Sequence, residues 1–373
     1  MFLTGFLPKD FHTLKILLFR LMALGCMFVG LMGCGRKEDY SPTEIPTVPV
    51  AMPEAPRNPW QVVSFPTDQK RLLETRPSGV FQATASGRFE SALYGTVRIA
   101  MKGKRLMPSF HEGIDIAPMK RDRAKRPLDS VYAVAEGKAA YVNRISGNSN
   151  YGVYVVLTHD DPVGEFYTLY AHLASVAPGL RQGQLVQPGD VLGVMGHSSS
   201  SAIPVERSHL HFEVGLIANA RFAEWYNAKK LKPDHGLFNG RNLLAIDPLE
   251  VFRQRQQNPA FTLRQHLSTI PVAYELVLTV RKLPDYFRRY PSLWEGDPYS
   301  GKAIVMACSE NGVPLRVRNA NETERTRLGQ NRQRVQNVNA NVLGKNGRRL
   351  VVLDQNGWRV GQNGKDWQEI LNF

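Results

Sequence analysis

Between about residue 86 and residue 252, short apolar runs alternate with turn residues. Tyr151–Thr158 and Glu165–Ala171 are rich in β-branched and aromatic positions, and Asp160-Asp161-Pro162-Val163-Gly164 separates them. Two such runs divided by turn chemistry predict a β-hairpin. Val131–Ala135 and Val191–Met195 read as further strands, the second entered through the turn Pro188-Gly189-Asp190. Many short strands with close turns predict a mainly β domain, a small antiparallel sheet of barrel-sandwich type. Two loop insertions interrupt it. Met119–Asp129 is basic, with Lys120, Arg121, Arg123, Lys125 and Arg126 against Asp122 and Asp129. Ile217–Asn242 holds a predicted short helix around Phe222–Leu231.

Beyond Arg253 the pattern changes and Gln and Asn rise. A short helix is predicted over Pro284–Tyr290, since proline suits a first turn and Pro291 would end it. Arg349–Leu353 is strand-like between Asn/Gly turns. Residues 253–373 therefore read as a small C-terminal α+β appendage with no role legible in the sequence.

The other end of the chain reads as a targeting segment. Lys9, Lys15 and Arg20 precede the apolar run Leu21–Met32. That run is short of the ~20 residues that span a bilayer. A basic stretch followed by a short apolar one predicts an export signal over residues 1–33. The run ends in Leu31-Met32-Gly33-Cys34, which resembles the lipobox of bacterial lipoproteins. That resemblance implies that Cys34 is acylated and becomes the mature N-terminus. Pro42, Pro46, Pro49, Pro53, Pro56 and Pro59 follow. Proline at this density favours an extended tether over residues 34–60, at roughly 3 Å per residue.

Composition narrows the function classes. Of the 373 residues, 43% are hydrophobic and 21% charged, so the bulk of the chain can bury a core. Cys26, Cys34 and Cys308 are the only cysteines, too few for a disulfide framework or a Cys-rich zinc finger. The net charge is +14, which suits an anionic partner. Nucleic acid is not expected for an exported protein, whereas an anionic cell wall or lipid surface is.

Two histidine clusters carry the candidate chemistry. In Phe110-His111-Glu112-Gly113-Ile114-Asp115-Ile116, strand alternation places His111, Gly113 and Asp115 on one face. The glycine between them is expected to leave room for an atom that both could touch. In His209-Leu210-His211-Phe212-Glu213-Val214, alternation places His209 and His211 on one face and the apolar residues on the other. Imidazole nitrogen and carboxylate oxygen suit divalent zinc, and an open fourth position is the pattern of a catalytic site. His172, in Tyr170-Ala171-His172-Leu173, gains weight beside them, because hydrolysis at zinc needs a donor or base near the attacking water. Alternation points Glu112 away from the metal face, and Glu213 lies one step beyond the ligand pair. His159 reads as capping a turn after a strand, His197 as lining the groove, and His235 is given no role.

In this order the motifs resemble the M23 metallopeptidases, which include lysostaphin- and LytM-type peptidoglycan endopeptidases. Ser91-Ala92-Leu93-Tyr94-Gly95, Ala135-Glu136-Gly137-Lys138, Tyr151-Gly152, Gly183 through Gly196 and Asp247-Pro248-Leu249 extend the resemblance over about residues 86–252. It implies zinc held by His111, Asp115 and His211, with His172 and His209 hydrogen-bonding the attacking water and stabilising the oxyanion. The implied activity is cleavage of peptide cross-links in peptidoglycan by a membrane-anchored lipoprotein of the cell envelope. Its partners would be peptidoglycan peptides, the membrane and a regulatory protein. The alternative is a catalytically silent LytM-type module that activates another cell-wall hydrolase; such a module would be expected to have lost ligands, and none is lost here. A biotinyl or lipoyl carrier, suggested by Gln187–Val194, would need a modified lysine at a hairpin tip, and the sequence holds no such tripeptide. The chain departs from the family pattern in three loops. The basic Met119–Asp129 insert replaces a short Pro-x-Gly-Thr turn. An inserted Ala202–Glu206 and then Arg207-Ser208 stand where Gly-Pro usually precedes His-Leu-His. A further insertion follows Gly215.

Overall fold

The computed structural model describes residues 58–102, 105–231, 235–344 and 346–373. The expected export signal, most of the tether and Cys34 lie outside the described residues. A hairpin of β1 (Val97–Lys102) and β2 (Arg105–Phe110) precedes the main sheet. That sheet is built from β3 (Ile114–Ile116), β4 (Ser130–Tyr132), β5 (Gly137–Asn143), β6 (Val153–Asp161), β7 (Gly164–Val176), β8 (Leu185–Val186), β9 (Val191–Met195), β10 (Leu210–Ile217) and β11 (Leu243–Ile246). Its main path runs β11-β10-β7-β6-β5-β8, with β3 on β10 and β9 linking β7 to β4. All its pairings are antiparallel. The mainly β class holds, but the sheet is open rather than barrel-like, since β11 and β8 stand at opposite ends of the path.

The expected hairpin is β6–β7, paired from Val153–Leu173 to Asp161–Gly164. His159 lies inside β6 and is buried, not at a turn. The strand runs on to Asp161 because Pro162-Val163 alone suffices for the reversal. The stretch predicted over Val131–Ala135 forms a strand only at β4, and the helix around Phe222 ends at Ala228. Helix Pro248–Gln257 begins at Asp247, whose carboxylate accepts the N–H of Leu249 at 2.9 Å, with Pro248 in the first turn. That is the physical content of Asp247-Pro248-Leu249.

The C-terminal region holds a second antiparallel sheet in the order β14-β13-β12-β15, from β12 (Tyr274–Thr279), β13 (Ala303–Cys308), β14 (Pro314–Asn319) and β15 (Gln333–Gln336). A hairpin of β16 (Val351–Asp354) and β17 (Gly357–Val360) follows. This region is joined to the main sheet by burial. One apolar cluster runs from Trp60 through Ile116, Val155 and Phe212 to Tyr274, Met306 and Trp367. At the tip of the β6–β7 hairpin, the Asp161 carboxylate accepts the N–H groups of Leu263 and Arg264, at 2.8 and 3.1 Å, in the first turn of helix Leu263–Thr269. Among the described residues no helix is long and apolar enough to cross a membrane.

Candidate active site

Strand β10 organises the site. Leu210, Phe212, Val214 and Leu216 join the large core, so strand alternation turns His209, His211 and Glu213 to the opposite face. Register then sets the neighbours. His211 stands opposite Asp115 of β3 on one side and Ala171 of β7 on the other. His172, next to Ala171, has φ 62. This left-handed value is costly for a residue with a Cβ. It coincides with a register shift in the β6–β7 pairing between Val153 and Val155. The kink brings the His172 ring to 4.8 Å from the His209 ring and 5.9 Å from the His211 ring.

His111 follows β2 and is not in a strand. The close approach at Gly113 has a different cause from the one the sequence suggested. A Cβ there would lie 2.3 Å from the Phe212 carbonyl oxygen, so the glycine makes room for β10 rather than for a metal. The result is a tight group. His111 Nε2 lies 3.1 Å from Asp115 Oδ1 and 3.2 Å from His211 Nδ1, and His211 Nδ1 lies 3.0 Å from Asp115 Oδ1. His209 Nε2 is 3.6 Å from the same oxygen. All these side chains are buried or nearly so.

Hydrogen bonds to backbone carbonyls fix which nitrogen of each ring faces inward, because a carbonyl can only accept. His111 Nδ1–H donates to Leu93 O at 2.9 Å, His172 Nδ1–H to Ser198 O at 2.8 Å, and His209 Nδ1–H to Arg207 O at 2.7 Å. Each turns its Nε2 lone pair inward, and that of His111 also lies 3.2 Å from Arg98 Nη2. The Leu93 contact is what the upstream Ser91–Gly95 motif supplies.

His211 is oriented in the opposite sense. Its Nε2–H donates to Glu213 Oε1 at 2.9 Å, leaving Nδ1 toward Asp115. Tyr151 and Tyr167 hydroxyls donate to the two oxygens of Glu213, each at 2.8 Å. Glu213 is fully buried. Glu213 lies one step beyond the ligand pair, yet the alternation that pairs His209 with His211 also includes it. Arg98 was missed altogether. Its Nη2 donates to Asp115 Oδ2 at 2.5 Å, and its Nε to Ser91 O at 2.7 Å. Oδ2 is thereby occupied and Oδ1 is left for the imidazoles. Glu112 does point away, to Arg348 Nη1 at 2.9 Å.

The electrostatics follow from burial and neighbours. Burial would raise the Asp115 carboxyl, but the imidazoles of His111, His209 and His211 hold it well below the usual range. Burial would lower His211, but hydrogen bonds to Asp115 and Glu213 outweigh it and raise the ring to about 10. Burial, then the neighbouring His209 and His211, lowers His172 to about 3. Burial also lowers His209, against the pull of Asp115. His172 and His209 are therefore neutral at pH 7, each with an inward Nε2 lone pair.

The donor set fits a divalent cation. The ligand atoms of His111, Asp115 and His211 lie within 4.8 Å of one another. Two imidazoles and one carboxylate, with their outer atoms held by Leu93 O, Glu213 and Arg98, are a zinc-type set with supporting hydrogen bonds. Binding there would displace the Nδ1 proton of His211.

Residues 109–222 match the profile of Peptidase family M23. No curated protein sequence matches the chain. Among solved structures, the chain is similar to a zinc-containing peptidase from Vibrio cholerae, with 24% identity, a TM-score of 0.25, and coverage of 36% of this chain and 36% of that one. It is also similar to the catalytic domain of the antimicrobial peptidase lysostaphin from Staphylococcus simulans, with 24% identity, a TM-score of 0.24, and coverage of 33% and 76%. A putative glycyl-glycine endopeptidase from Ruminococcus gnavus shares 20% identity, with a TM-score of 0.26 and coverage of 44% and 61%. The match thus spans about a third of the Vibrio peptidase's length. The family match is thus confined to residues 109–222, a stretch set within a longer chain.

Proposed function

We propose that this protein is a zinc-dependent endopeptidase that hydrolyses peptide cross-links of peptidoglycan. In this reading His111 Nε2, Asp115 Oδ1 and His211 Nδ1 hold the ion. The observation that carries it is the convergence of these atoms with two further lone pairs, on His172 and His209, that no hydrogen bond occupies among the described residues. Bound zinc would supply Lewis acidity, polarising the scissile carbonyl and lowering the pKa of water to about 7. His172 or His209 accepts the proton of the attacking water at Nε2. The imidazolium so formed carries an inward N–H, which can donate to the developing oxyanion or protonate the leaving amine. Glu213 and Arg98 keep the ligands oriented throughout.

The test is digestion of purified peptidoglycan by the purified protein, with and without chelator, and analysis of the released peptides. New amine termini at cross-links, lost on chelation and restored by zinc, are expected. Absence of cleavage by zinc-loaded protein would favour the silent, activating module instead.

We also propose that the protein is exported and anchored through an acylated Cys34. The motivation is the apolar run Leu21–Met32 ending at Gly33-Cys34. A diacylglyceryl group supplies two chains, enough for stable anchoring where one is marginal. The proline-rich stretch would let the catalytic domain work away from the lipid surface.

A further inference from the structure

Two of the loops in which this chain departs from the M23 pattern meet beside His209. The basic loop Met119–Asp129 lies against the one-turn helix Val205–Arg207 that immediately precedes Ser208 and His209. The contact is made by Arg121. Its Nη1 donates to Val205 O at 2.8 Å and its Nη2 to Glu206 O at 3.1 Å. Nη1 also donates to Lys125 O of its own loop at 2.7 Å.

We propose that Arg121 is a positioning residue for His209, acting through the Val205–Arg207 turn. The inference rests on the peptidase reading above. The His209 ring has one hydrogen-bond acceptor at Nδ1, Arg207 O, 2.7 Å away, while its backbone N donates to Gly196 O at 3.1 Å. Few backbone bonds hold that carbonyl's turn. Arg207 N donates to Pro204 O at 2.9 Å and Ser208 N to Val205 O at 3.1 Å. The Ser208 hydroxyl also donates to Val205 O at 2.5 Å, so the bonds that shape this turn are all local to it. Arg121 adds two bonds to consecutive carbonyls of the turn from a separate element.

The loop that presents Arg121 is itself braced. The Asp129 carboxylate accepts the N–H groups of Met119 and Lys120, at 2.8 and 3.0 Å, closing the loop at its base. Met195 N donates to Asp129 O at 2.9 Å, fastening that base to β9. Asp122 accepts both the backbone N–H and Nε of Arg126, each at 2.8 Å. A continuous path therefore runs from β9 through Asp129, Arg121 and the turn to the His209 ring. The planar guanidinium, with five N–H groups in a fixed fork, can reach carbonyls on two loops at once; an ammonium cannot reproduce that fork.

The same geometry separates this role from recognition of an anionic substrate. The Arg121 N–H groups named above are turned onto carbonyls. Lys120 and Arg123, by contrast, are exposed and pair with no acid among the described residues. The other link between the loops, Lys125 Nζ to Glu206 Oε1 at 3.5 Å, is exposed and contributes little.

The experiment compares Arg121→Ala, Arg121→Lys and Arg123→Ala in the full-length protein. Zinc content, kcat and KM on cross-linked peptidoglycan fragments are measured. The His209 ring is followed by ¹⁵N-histidine NMR, assigned by its absence in His209→Gln. For Arg121→Ala the expected result is full zinc content, KM within about twofold, and kcat lower by about 10- to 100-fold, the range a small misplacement of a reacting group produces. The His209 Nδ1–H signal should shift or broaden. Arg121→Lys should recover part of kcat, and it replaces the alanine variant if that does not fold. Arg123→Ala should leave all these readouts unchanged. A raised KM with kcat retained in Arg121→Ala would overturn the proposal in favour of substrate binding, as would an unaltered His209 signal. If the unsubstituted protein cleaves nothing, the peptidase reading fails, and the NMR arm still decides whether Arg121 positions His209.

Discussion

Glu213 Oε1 lies 2.9 Å from His211 Nε2, while Asp115 Oδ1 lies 3.0 Å from Nδ1 of the same ring. The imidazole is held between two carboxylates, one buried without solvent contact and the other shared with His111. This arrangement makes the nitrogen that faces the proposed ion more basic, as a carboxylate partner does for a metal-bound histidine.

Glu213→Gln should therefore weaken zinc binding by about 10- to 100-fold while the fold is kept. A competition titration against a chromophoric chelator measures this. Tyr151→Phe should have a smaller effect, because Tyr167 still donates to the other oxygen. An unchanged zinc affinity in Glu213→Gln would remove Glu213 from the site.

Metal holding and catalysis should separate by residue. His111→Ala, Asp115→Ala and His211→Ala are expected to lose bound zinc. His172→Ala and His209→Ala should retain it and lose about 10²- to 10⁴-fold in kcat. Zinc content by elemental analysis and turnover on peptidoglycan fragments distinguish the two groups. Near-normal turnover in both His172→Ala and His209→Ala would refute their proton-transfer role.

Gly113 tests the close approach between the His111–Asp115 segment and β10. A Cβ there meets the Phe212 carbonyl at 2.3 Å, an atom that cannot swing aside. Gly113→Ala should cost about 1–3 kcal/mol through overpacking. It should also reduce zinc affinity, because Phe212 is the chain neighbour of His211. Thermal melting with and without zinc reads both effects.

Acid stability should depend on His159. The ring is buried in β6, with Nδ1–H donating to Glu136 O at 2.7 Å and Nε2 2.8 Å from the Thr168 hydroxyl. Burial lowers it from 6.5 to about 4. Above pH 6.5 it is neutral in both the folded and unfolded chain and brings no pH dependence. As pH falls from about 6.5 to about 4, the unfolded chain takes up a proton that the folded chain refuses, and stability drops by about 3 kcal/mol in total. Urea melts at pH 7.5 and pH 4.5 should show this loss, and His159→Gln should reduce it. An equal loss in the variant would assign the acid sensitivity elsewhere, His266 being the next candidate, also lowered to about 4.

For the anchor, intact-mass and peptide mass spectrometry of membrane-extracted protein should find Cys34 as the first residue, carrying acyl chains. An unmodified Cys34 in that fraction would defeat the anchoring proposal and leave the peptidase reading intact.

Local order was legible in the chain alone. Apolar alternation on both sides of Asp160–Gly164 was enough for the β6–β7 hairpin, because neighbouring residues encode both the turn and the faces. The same period of two turned His209, His211 and Glu213 to one side of a strand whose other side is core. The motifs named the histidines and the aspartate that the fold then brings together. What decided their geometry was pairing between distant segments. The register of β3 and β7 on β10 sets Asp115 and Ala171 on either side of His211. The left-handed kink at His172 arises where the β6–β7 register shifts, which no local pattern announces. Arg98 reaches the site, and Arg121 the turn before His209, from outside the motifs, and ordinary surface arginines would look the same in sequence. The C-terminal region shares one buried cluster with the main sheet because its apolar faces meet that sheet across long stretches of chain, 73 residues from Ile217 to Tyr290 and 125 from Glu165 to Tyr290. A partner at that separation is fixed by packing and register, not by the residues beside it in the chain.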